Sequence, residues 1–337
     1  MDTPIILLLV IALVFLTGCQ AVPADVVFPP GASFSGPLPA ASDAQKELAK
    51  RLRGHVDVIG GTIGDRNVWN DAGMAATVDY LTRTMAGLGY TVKQQPYDVR
   101  GKTVLNLDAE IKGATKPDEI VVIGAHYDSV RGTPAANDNG SGVAAVLEIA
   151  RAFAAAKPAR PAGRTVRFAF FANEEPPFFQ TEQMGSLVYA RACKARGDNV
   201  VAMLSLETIG FYSDVKGSQK YPAPFDRFFP AQGDFIAFVG DTASKQLMLD
   251  SVAAFRAATS FPSEGIAAPA RITGIGFSDQ WSFWQAGYPA IMVTDTALFR
   301  YPHYHTTADT PDKLDYDRMS RVVEGVTKVC ETLSVGG

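Results

Sequence analysis

The sequence has few sulfur and imidazole side chains, with three cysteines and four histidines among its 337 residues. It contains no Cys-x-x-Cys pair and no Cys/His cluster, which argues against a thiolate metal site of the zinc-finger type. After Cys19 only Cys193 and Cys330 remain. These two either pair in an oxidising compartment or stay as buried free thiols, and the sequence leaves both possibilities open.

The sequence also lacks a run of positive charge. Its 31 basic and 35 acidic residues give a net charge of −4, and no Lys/Arg block is comparable with a nucleic-acid footprint. Nucleic acid is therefore not expected as a partner. A hydrophobic content of 47% with 20% charged residues is ordinary for a soluble globular protein. Without an internal repeat or a second hydrophobic core, the pattern predicts one domain over residues 42–337.

The first eighteen residues differ from the rest. Residues 5–18, "IILLLVIALVFLTG", form an apolar run of fourteen, which is short for a membrane span and typical of a signal peptide. The run ends at Leu16-Thr17-Gly18-Cys19, which resembles the lipobox of bacterial lipoproteins, although residues 1–4 carry no Lys or Arg. We therefore expect a signal peptide over 1–18 and an exported, envelope-bound lipoprotein held to the membrane through Cys19. A secreted protein with a plain signal, or an uncleaved anchor, is the alternative.

Residues 19–41 are rich in Pro, Ala and Gly, which predicts a flexible tether between the lipid anchor and the domain. Beyond the tether, helical patterns alternate with short apolar runs. Helices are predicted after the N-cap Ser42, over 71–89, 141–156 and 242–257, and from Thr310-Pro311 onward. Strands are predicted within 90–99, 103–113, 119–129, 164–175, 200–210, 234–240 and 288–295. This order predicts an α/β fold: a three-layer sandwich whose mixed, mostly parallel central sheet is flanked by helices.

Acidic and imidazole side chains collect just beyond the predicted strands, where open α/β sheets place their chemistry. They are His126, Asp128, Asp138, Glu174, Glu175, Glu207, His303 and His305. Imidazole and carboxylate ligands without sulfur suit zinc, and their number exceeds the needs of one tetrahedral ion. The set matches two metals that share a bridging carboxylate, as in two-metal hydrolases. In this arrangement Asp128 can fix the tautomer of His126 from behind.

The motifs GAHYDS, ANDNGSG, FFANEE, MGS, LSLETIG, GFSD and YHTTADT resemble those of the zinc aminopeptidases of the bacterial leucyl aminopeptidase and aminopeptidase S family. Glutamate carboxypeptidase II and glutaminyl cyclase are more distant relatives. The resemblance covers residues 60–335. It implies two zinc ions bridged by Asp138, with His126 and Glu207 at one ion and Glu175 and His305 at the other. It further implies that Glu174 is the general base and that the Asp138–Asn139 peptide is cis.

The chain departs from this family at three places. Glu207 stands where the best-known members commonly have aspartate, and Gln280 stands where many have histidine. Residues 176–184, "PPFFQTEQM", form a longer connection than usual. Aromatic side chains of this connection and of the insertion at 211–233 are candidates for an apolar substrate pocket, among them Phe178, Phe179, Phe211 and Tyr212; core positions are their alternative.

The expected function is therefore that of a zinc-dependent exopeptidase, an aminopeptidase acting on peptides. A glutaminyl cyclase-like enzyme with one zinc is the nearest alternative, but relatives of that kind lack the imidazole that His126 supplies. A binding lipoprotein without catalysis is the second alternative, and the presence of Glu174 argues against it. The preferred N-terminal residue, the native metal and the oligomeric state are not determined by the sequence.

Overall fold

A mixed sheet of eight strands forms the middle of the computed structural model, which describes residues 24–156 and 162–335. The strands are β1 (Lys93–Val99), β2 (Lys102–Ile111), β3 (Lys116–His126), β4 (Arg164–Phe171), β5 (Asn199–Glu207), β6 (Ile236–Gly240), β7 (Ser263–Ala267) and β8 (Ala290–Thr294). They lie in the order β1-β2-β4-β3-β5-β8-β6-β7. Four of the seven strand pairs are parallel, which confirms the predicted mixed, mostly parallel sheet.

Helices cover both faces of this sheet. They are α1 (Asp43–Val56), α2 (Asp71–Gly87), α3 (Gly142–Ala156), α4 (Gly185–Arg196), α5 (Lys245–Ala258), α6 (Gln280–Gln285) and α7 (Tyr316–Val335). Helices α1, α2, α3, α5 and α7 share one large core with the sheet, whereas α4 and α6 pack on the opposite face. The three-layer α/β sandwich predicted from the sequence is confirmed.

Strand β3 shows how the sequence fills both cores. Successive side chains of a strand point to opposite faces, so Val121 and Ile123 enter the large core while Ile120 and Val122 face α4 and α6. All four are almost completely buried. Burial of one such aliphatic side chain is worth about 1.5–3 kcal/mol. A continuous apolar run is therefore required wherever both faces of a strand are covered.

Side-chain hydrogen bonds cap the starts of α1 and α7. The predicted N-cap Ser42 accepts a hydrogen bond from the backbone N–H of Gln45 (3.2 Å), and Gln45 Oε1 accepts one from the backbone N–H of Ser42 (2.9 Å). The predicted start of the last helix at Thr310-Pro311 is wrong, because Pro311–Lys313 form only one 3₁₀ turn. Helix α7 begins at Tyr316, where Asp315 Oδ1 accepts from the backbone N–H of Arg318 (3.0 Å).

The N-terminal predictions fall partly on described residues. The signal peptide at 1–18 and the lipid-bearing Cys19 lie outside them. Residues 24–41, predicted as a flexible tether, are not free of the domain: Val27 forms an antiparallel bridge with Ala267, the last residue of β7. The exposed edge of β7 offers backbone groups to which an extended segment can bond. No helix within the described part of the chain is long and apolar enough to cross a membrane.

The two cysteines of the domain are not paired. Cys193 and Cys330 are both free and buried. They belong to different cores, Cys193 to the one beneath α4 and Cys330 to the large core beneath α7. Of the two possibilities that the sequence left open, the structure has the pair of buried thiols.

Candidate metal centre

The candidate site lies at the carboxyl ends of the central parallel strands. Strand β3 ends at His126, β5 ends at Glu207, and Glu174 and Glu175 follow β4. Asp138 lies in the turn before α3, and its peptide bond to Asn139 is cis, as predicted. Because β4, β3, β5 and β8 run parallel and adjacent, their final residues meet at one edge of the sheet.

The side chains at this edge form two clusters that share Asp138. In the first, His126 Nε2 lies 3.4 Å from Asp138 Oδ1 and 3.2 Å from Glu207 Oε2. In the second, His305 Nε2 lies 3.0 Å from Asp138 Oδ2 and 3.1 Å from Glu175 Oε2. Each cluster offers one nitrogen and two carboxylate oxygens within 4.8 Å of one another. The structure thus brings together all five residues predicted as metal ligands.

The clusters fit metal ions because several of their buried polar atoms lack hydrogen-bond partners. Both ring nitrogens of His126, Nε2 of His305, Oδ2 of Asp138 and Oε1 of Glu175 are buried without a hydrogen bond. Buried polar atoms are nearly always hydrogen-bonded, so atoms without partners that converge on one point suggest an ion. Neutral imidazole and carboxylate oxygens at this count match zinc, with one carboxylate reaching both positions.

Electrostatics also favour a cation here. Burial raises the pKa of Glu175 to about 8, and the negative charge of Asp138 adds to that effect. Burial likewise raises the pKa values of Glu174 and Glu207. Burial alone would raise the pKa of Asp138 too, but the nearby imidazoles of His126 and His305 outweigh this effect and lower the pKa. Bound cations would stabilise the ionised form of every carboxylate in this crowded group.

Asp128 connects the ligands from behind. Its Oδ1 accepts a hydrogen bond from the backbone N–H of Glu174 (3.0 Å), and its Oδ2 accepts one from the backbone N–H of Glu175 (3.2 Å). Oδ1 also lies 3.5 Å from Nδ1 of His126. The sequence suggested only the contact with His126. The bonds to both glutamates make Asp128 a positioning residue for three members of the site.

Glu174 is placed differently from its neighbour. Its carboxylate belongs to neither cluster, but Oε2 lies 3.8 Å from Nε2 of His126. The side chain is 7% exposed, and burial and the charges of Glu207 and Glu175 hold its pKa well above the usual range, against the opposing effect of His126. Glu174 is therefore a buried carboxylate with a raised proton affinity, next to the first cluster.

Sequence reasoning missed three supporting residues. Asp309 accepts hydrogen bonds from the backbone N–H groups of Asn137 (2.8 Å) and Asp138 (3.1 Å), which orients the shared aspartate. Ser278 Oγ donates to Oε2 of Glu207 (2.7 Å). Tyr304 stacks on the ring of His305 at 3.8 Å between centroids. All three lie in the motifs YHTTADT and GFSD, but the sequence indicated a metal ligand only at the histidine of YHTTADT.

His303, which directly precedes that motif, lies outside both clusters in the described part of the chain. Its ring packs edge-on against Tyr301 instead. Gln280, which replaces a histidine common in the family, donates from Nε2 to the backbone carbonyl of Ile275 (3.0 Å) and is buried. Neither residue contributes a ligand atom to the candidate centre.

An apolar cavity opens beside the first cluster. Both Glu207 and Tyr304 lie in its wall. Its other walls come from β6, β7, β8 and the insertion at 211–233, which contributes Tyr221, Phe225 and Phe229. The expectation that aromatic residues of the insertion line a pocket therefore holds for these three residues.

The four aromatic residues named from the sequence lie elsewhere. Phe178 is buried and stacks on Trp69, and Tyr212 packs edge-on against Phe261 in the large core. Phe211 packs against Tyr301. Phe179 contacts Phe277, a cavity residue, without lining the cavity itself. Of the two alternatives that the sequence left open, the structure has core positions for Phe178 and Tyr212, and none of the four residues lines the cavity.

Comparison with known proteins agrees with this geometry. A relative from Escherichia coli, named "Uncharacterized protein YfbL", is 36% identical over 274 residues, covering 79% of this chain and 82% of that protein. The "Probable aminopeptidase YDR415C" of Saccharomyces cerevisiae is 27% identical over 269 residues, covering 75% of this chain and 64% of its own length. The chain thus spans less than two thirds of the yeast relative.

Solved structures share the fold at low sequence identity. The zinc aminopeptidase BSAP from Bacillus subtilis superimposes with a TM-score of 0.68 at 15% identity, over 85% of this chain and 95% of its own. The glutaminyl cyclase of Fimbriiglobus ruber gives a TM-score of 0.62 at 23% identity, over 92% and 99% of the two chains.

The class of the protein follows from the fold, the site and a family model together. Residues 106–330, which include the strands β3, β4, β5 and β8 and all five candidate ligands, match the model of peptidase family M28. Together with this match, the α/β sandwich and the imidazole and carboxylate side chains at its parallel strand ends identify the protein as a metallopeptidase. The chain belongs to peptidase family M28.

Proposed function

We propose that this protein is an aminopeptidase that uses two zinc ions. The observation that carries the proposal is the position of Asp138, whose two carboxylate oxygens face different histidines at 3.4 and 3.0 Å. One carboxylate shared by two ligand sets is the arrangement of a two-metal hydrolase. The name of the yeast relative, a probable aminopeptidase, supports the same assignment.

The chain supplies all the protein ligands that this arrangement needs. His126 and Glu207 would hold one ion, Glu175 and His305 the other, and Asp138 both. Two bound zinc ions would supply Lewis acidity to a shared water and to the scissile carbonyl. Ser278 keeps Glu207 in place through its hydroxyl, while Asp309 keeps the shared aspartate in place through backbone bonds.

Glu174 is the proposed general base. It lies beside the first ligand set without belonging to it, so its carboxylate is free to accept a proton from the attacking water. The protonated carboxyl can then deliver this proton to the leaving amine. Asp128, bonded to the backbone N–H of Glu174, fixes the position from which the transfer occurs.

The apolar cavity beside Glu207 is the proposed site for the side chain of the N-terminal residue. Its mostly apolar walls favour a large apolar side chain over a small or charged one. Tyr304, which is in the cavity wall and stacks on His305, stays protonated because burial and the nearby carboxylates raise its pKa. A neutral phenol at this point can donate a hydrogen bond to substrate.

Glutaminyl cyclase activity is the second candidate, since a cyclase shares the fold. His126 favours the aminopeptidase, because it gives the first cluster an imidazole in addition to its two carboxylates. An enzyme with a single metal in the second cluster would leave the buried Nε2 of His126 without a hydrogen bond or a metal.

The proposed function is tested with purified protein loaded with zinc. We expect hydrolysis of aminoacyl 4-nitroanilides, loss of activity with a chelator, and no hydrolysis of N-acetylated substrates. Native mass spectrometry should count two zinc ions per chain. Cyclisation of N-terminal glutamine with one bound ion would instead support the cyclase, and no turnover at all would support a binding protein.

We also propose that the protein is exported and held to the cell envelope by lipid on Cys19. The support is the sequence Leu16-Thr17-Gly18-Cys19 at the end of the apolar run. With this anchor, the domain would act on peptides outside the cytoplasm.

A further inference from the structure

The first described residues attach to the edge of the sheet rather than to a helix. We call residues 26–33 the N-terminal segment. The backbone N–H of Val27 donates to the carbonyl of Ala267 (2.8 Å), and the N–H of Ala267 donates back (2.9 Å). Arg256 Nη1 bonds two carbonyl oxygens of the segment at 3.0 and 3.2 Å. Ser33 Oγ accepts from the backbone N–H of Ser263 (2.8 Å).

The segment continues the alternation of a strand. Val27 packs against the large core beneath α5, whereas Val26 and Phe28 pack against the small apolar cluster on the other face of β6 and β7. That small cluster includes Phe225, Phe235 and Ile266, which line the cavity beside the metal centre. The N-terminal segment therefore covers the outer edge of the cavity wall.

Phe28 reaches the cavity through two aromatic contacts. Its ring lies edge-on to Phe229 with centroids 5.5 Å apart, and Phe229 stacks on Tyr221, also at 5.5 Å. Phe229 and Tyr221 both line the cavity, whereas Phe28 does not. Phe28 stacks on Phe228 as well, at 5.5 Å. Phe28 thus supports the wall residue Phe229 from behind, and Tyr221 through Phe229.

The insertion that carries these wall residues has little regular structure. In the described part of the chain between β5 and β6, that structure is the 3₁₀ turn Phe225–Arg227 and one bridge between Lys216 and Gln232. Loop hydrogen bonds also hold the insertion, such as that from the backbone N–H of Lys220 to the carbonyl of Phe299 (2.8 Å), and side-chain packing adds to them. The aromatic contact with Phe28 is packing of this kind, and it comes from a segment more than 190 residues earlier in the chain.

We propose that the N-terminal segment sets the size of the substrate cavity, with Phe28 as a positioning residue that determines specificity. This inference rests on the proposed aminopeptidase function, in which the cavity takes the N-terminal side chain of the substrate. Without the ring of Phe28, Phe229 and Tyr221 lose their outer support and the cavity loses its fit to a large apolar side chain. Catalysis at the metal ligands, which Phe28 does not contact, continues.

The test compares kcat and KM of zinc-loaded wild type, Phe28→Ala and Phe28→Tyr on leucyl, phenylalanyl and alanyl 4-nitroanilides. We expect Phe28→Ala to lower kcat/KM about three- to tenfold for the two large substrates, mainly through KM. The alanyl substrate should stay within about twofold of wild type. Phe28→Tyr, which keeps the ring, should restore the wild-type ratio. Zinc content should be equal in all proteins.

Phe34→Ala is the matched control, because Phe34 lies just beyond the N-terminal segment and makes no ring contact in the part of the chain that the structure describes. It should leave the substrate ratio unchanged. If Phe28→Ala does not fold, the milder Phe28→Leu carries the same test. An unchanged ratio, or an equal loss on all three substrates, would overturn the inference while wild-type activity still supported the proposed function. Absence of turnover by the wild type would overturn the proposed function itself.

Discussion

The paired glutamates provide the most decisive test of the proposed mechanism. Glu174 and Glu175 are adjacent, and Asp128 holds both backbone N–H groups, but their carboxylates have different surroundings. Only Glu175 belongs to a ligand cluster, with Asp138 and His305. Substitution of each by glutamine preserves the shape and the backbone bonds while it removes the charge. The two variants should therefore fail in different ways.

For Glu174→Gln we expect a loss of 10²–10⁴ in kcat, the usual range for a general base. At about 1.36 kcal/mol per factor of ten, this corresponds to roughly 3–5 kcal/mol of barrier. Stability should not fall, because burial and the charges of Glu207 and Glu175 disfavour the ionised form of Glu174. An uncharged amide relieves that repulsion, so zinc content should stay near that of wild type.

For Glu175→Gln we expect weaker binding of one zinc ion and a loss of stability in proportion to the metal lost. The amide oxygen is a poorer ligand than the carboxylate that lies 3.1 Å from Nε2 of His305. Added zinc should restore part of the activity of this variant. It should restore none of the activity of Glu174→Gln.

The assay measures zinc by mass spectrometry, thermal unfolding, and hydrolysis of a leucyl 4-nitroanilide for both variants side by side. Turnover of Glu174→Gln at the wild-type rate would show that another group takes the proton. Loss of zinc from Glu174→Gln as readily as from Glu175→Gln would show that both carboxylates are ligands. Either result would refute the division of roles.

Three further perturbations follow from the same structure. Asp128→Asn replaces one of two acceptors with a donor, leaves one buried N–H unsatisfied at about 1–3 kcal/mol, and should lower kcat/KM about 10–100-fold. Burial alone would raise the pKa of Glu148, but bonds from His55 and two arginine side chains outweigh it and lower the pKa to about 2. Glu148→Gln should therefore reduce the free energy of unfolding by about 1–3 kcal/mol at neutral pH. Cys19→Ala should abolish labelling with a radioactive fatty acid in cells.

Each of these has its own contradicting result. Asp128→Asn with wild-type kinetics would mean that the backbone bonds to the glutamates do not matter. Because the pKa of Glu148 is lower in the folded protein than its ordinary 4.5, its contribution is complete above about pH 5 and is lost as the pH falls towards 2. A difference between wild type and Glu148→Gln that grows on acidification would contradict this. Equal fatty-acid labelling of wild type and Cys19→Ala would leave a plain signal peptide.

The sequence by itself determined at which edge of the sheet the polar residues of the site meet. Apolar runs such as Ile120–Ala125 and Phe168–Phe171 are buried on both faces, as strands in the middle of a parallel sheet require. Parallel strands end at one edge, so polar residues directly after each run had to meet there. That is why His126, Glu174, Glu175 and Glu207 could be grouped without distances, whereas the choice of the five ligands and of Glu174 as the base came from the resemblance to the family. Their pairing into two clusters around Asp138 came from resemblance to the family, and the structure shows the same pairing.

Short or weakly patterned elements were not found in the sequence. Helix α4 was missed because few of its residues form a clear apolar stripe, and α6 because "QWSFWQ" is only six residues long. Strand β7, "SEGIA", has only five residues, one of which is glycine, and it forms through its pairing with β6. The start of α7 was misplaced because a proline is a start signal in general, whereas the cap here is the side chain of Asp315.

Contacts between distant parts of the chain were decided only by the tertiary structure. The sequence shows Asp309 only as an acidic residue of the motif YHTTADT. Its hydrogen bonds with the backbone of Asn137 and Asp138 form because two distant loops meet. The bridge of Val27 to Ala267 depends on a free sheet edge, and the packing of Phe28 on Phe229 follows from it. Local sequence records the period of an element and the chemistry of its ends. Which loops and edges meet is set by how whole layers pack, and no local pattern encodes that.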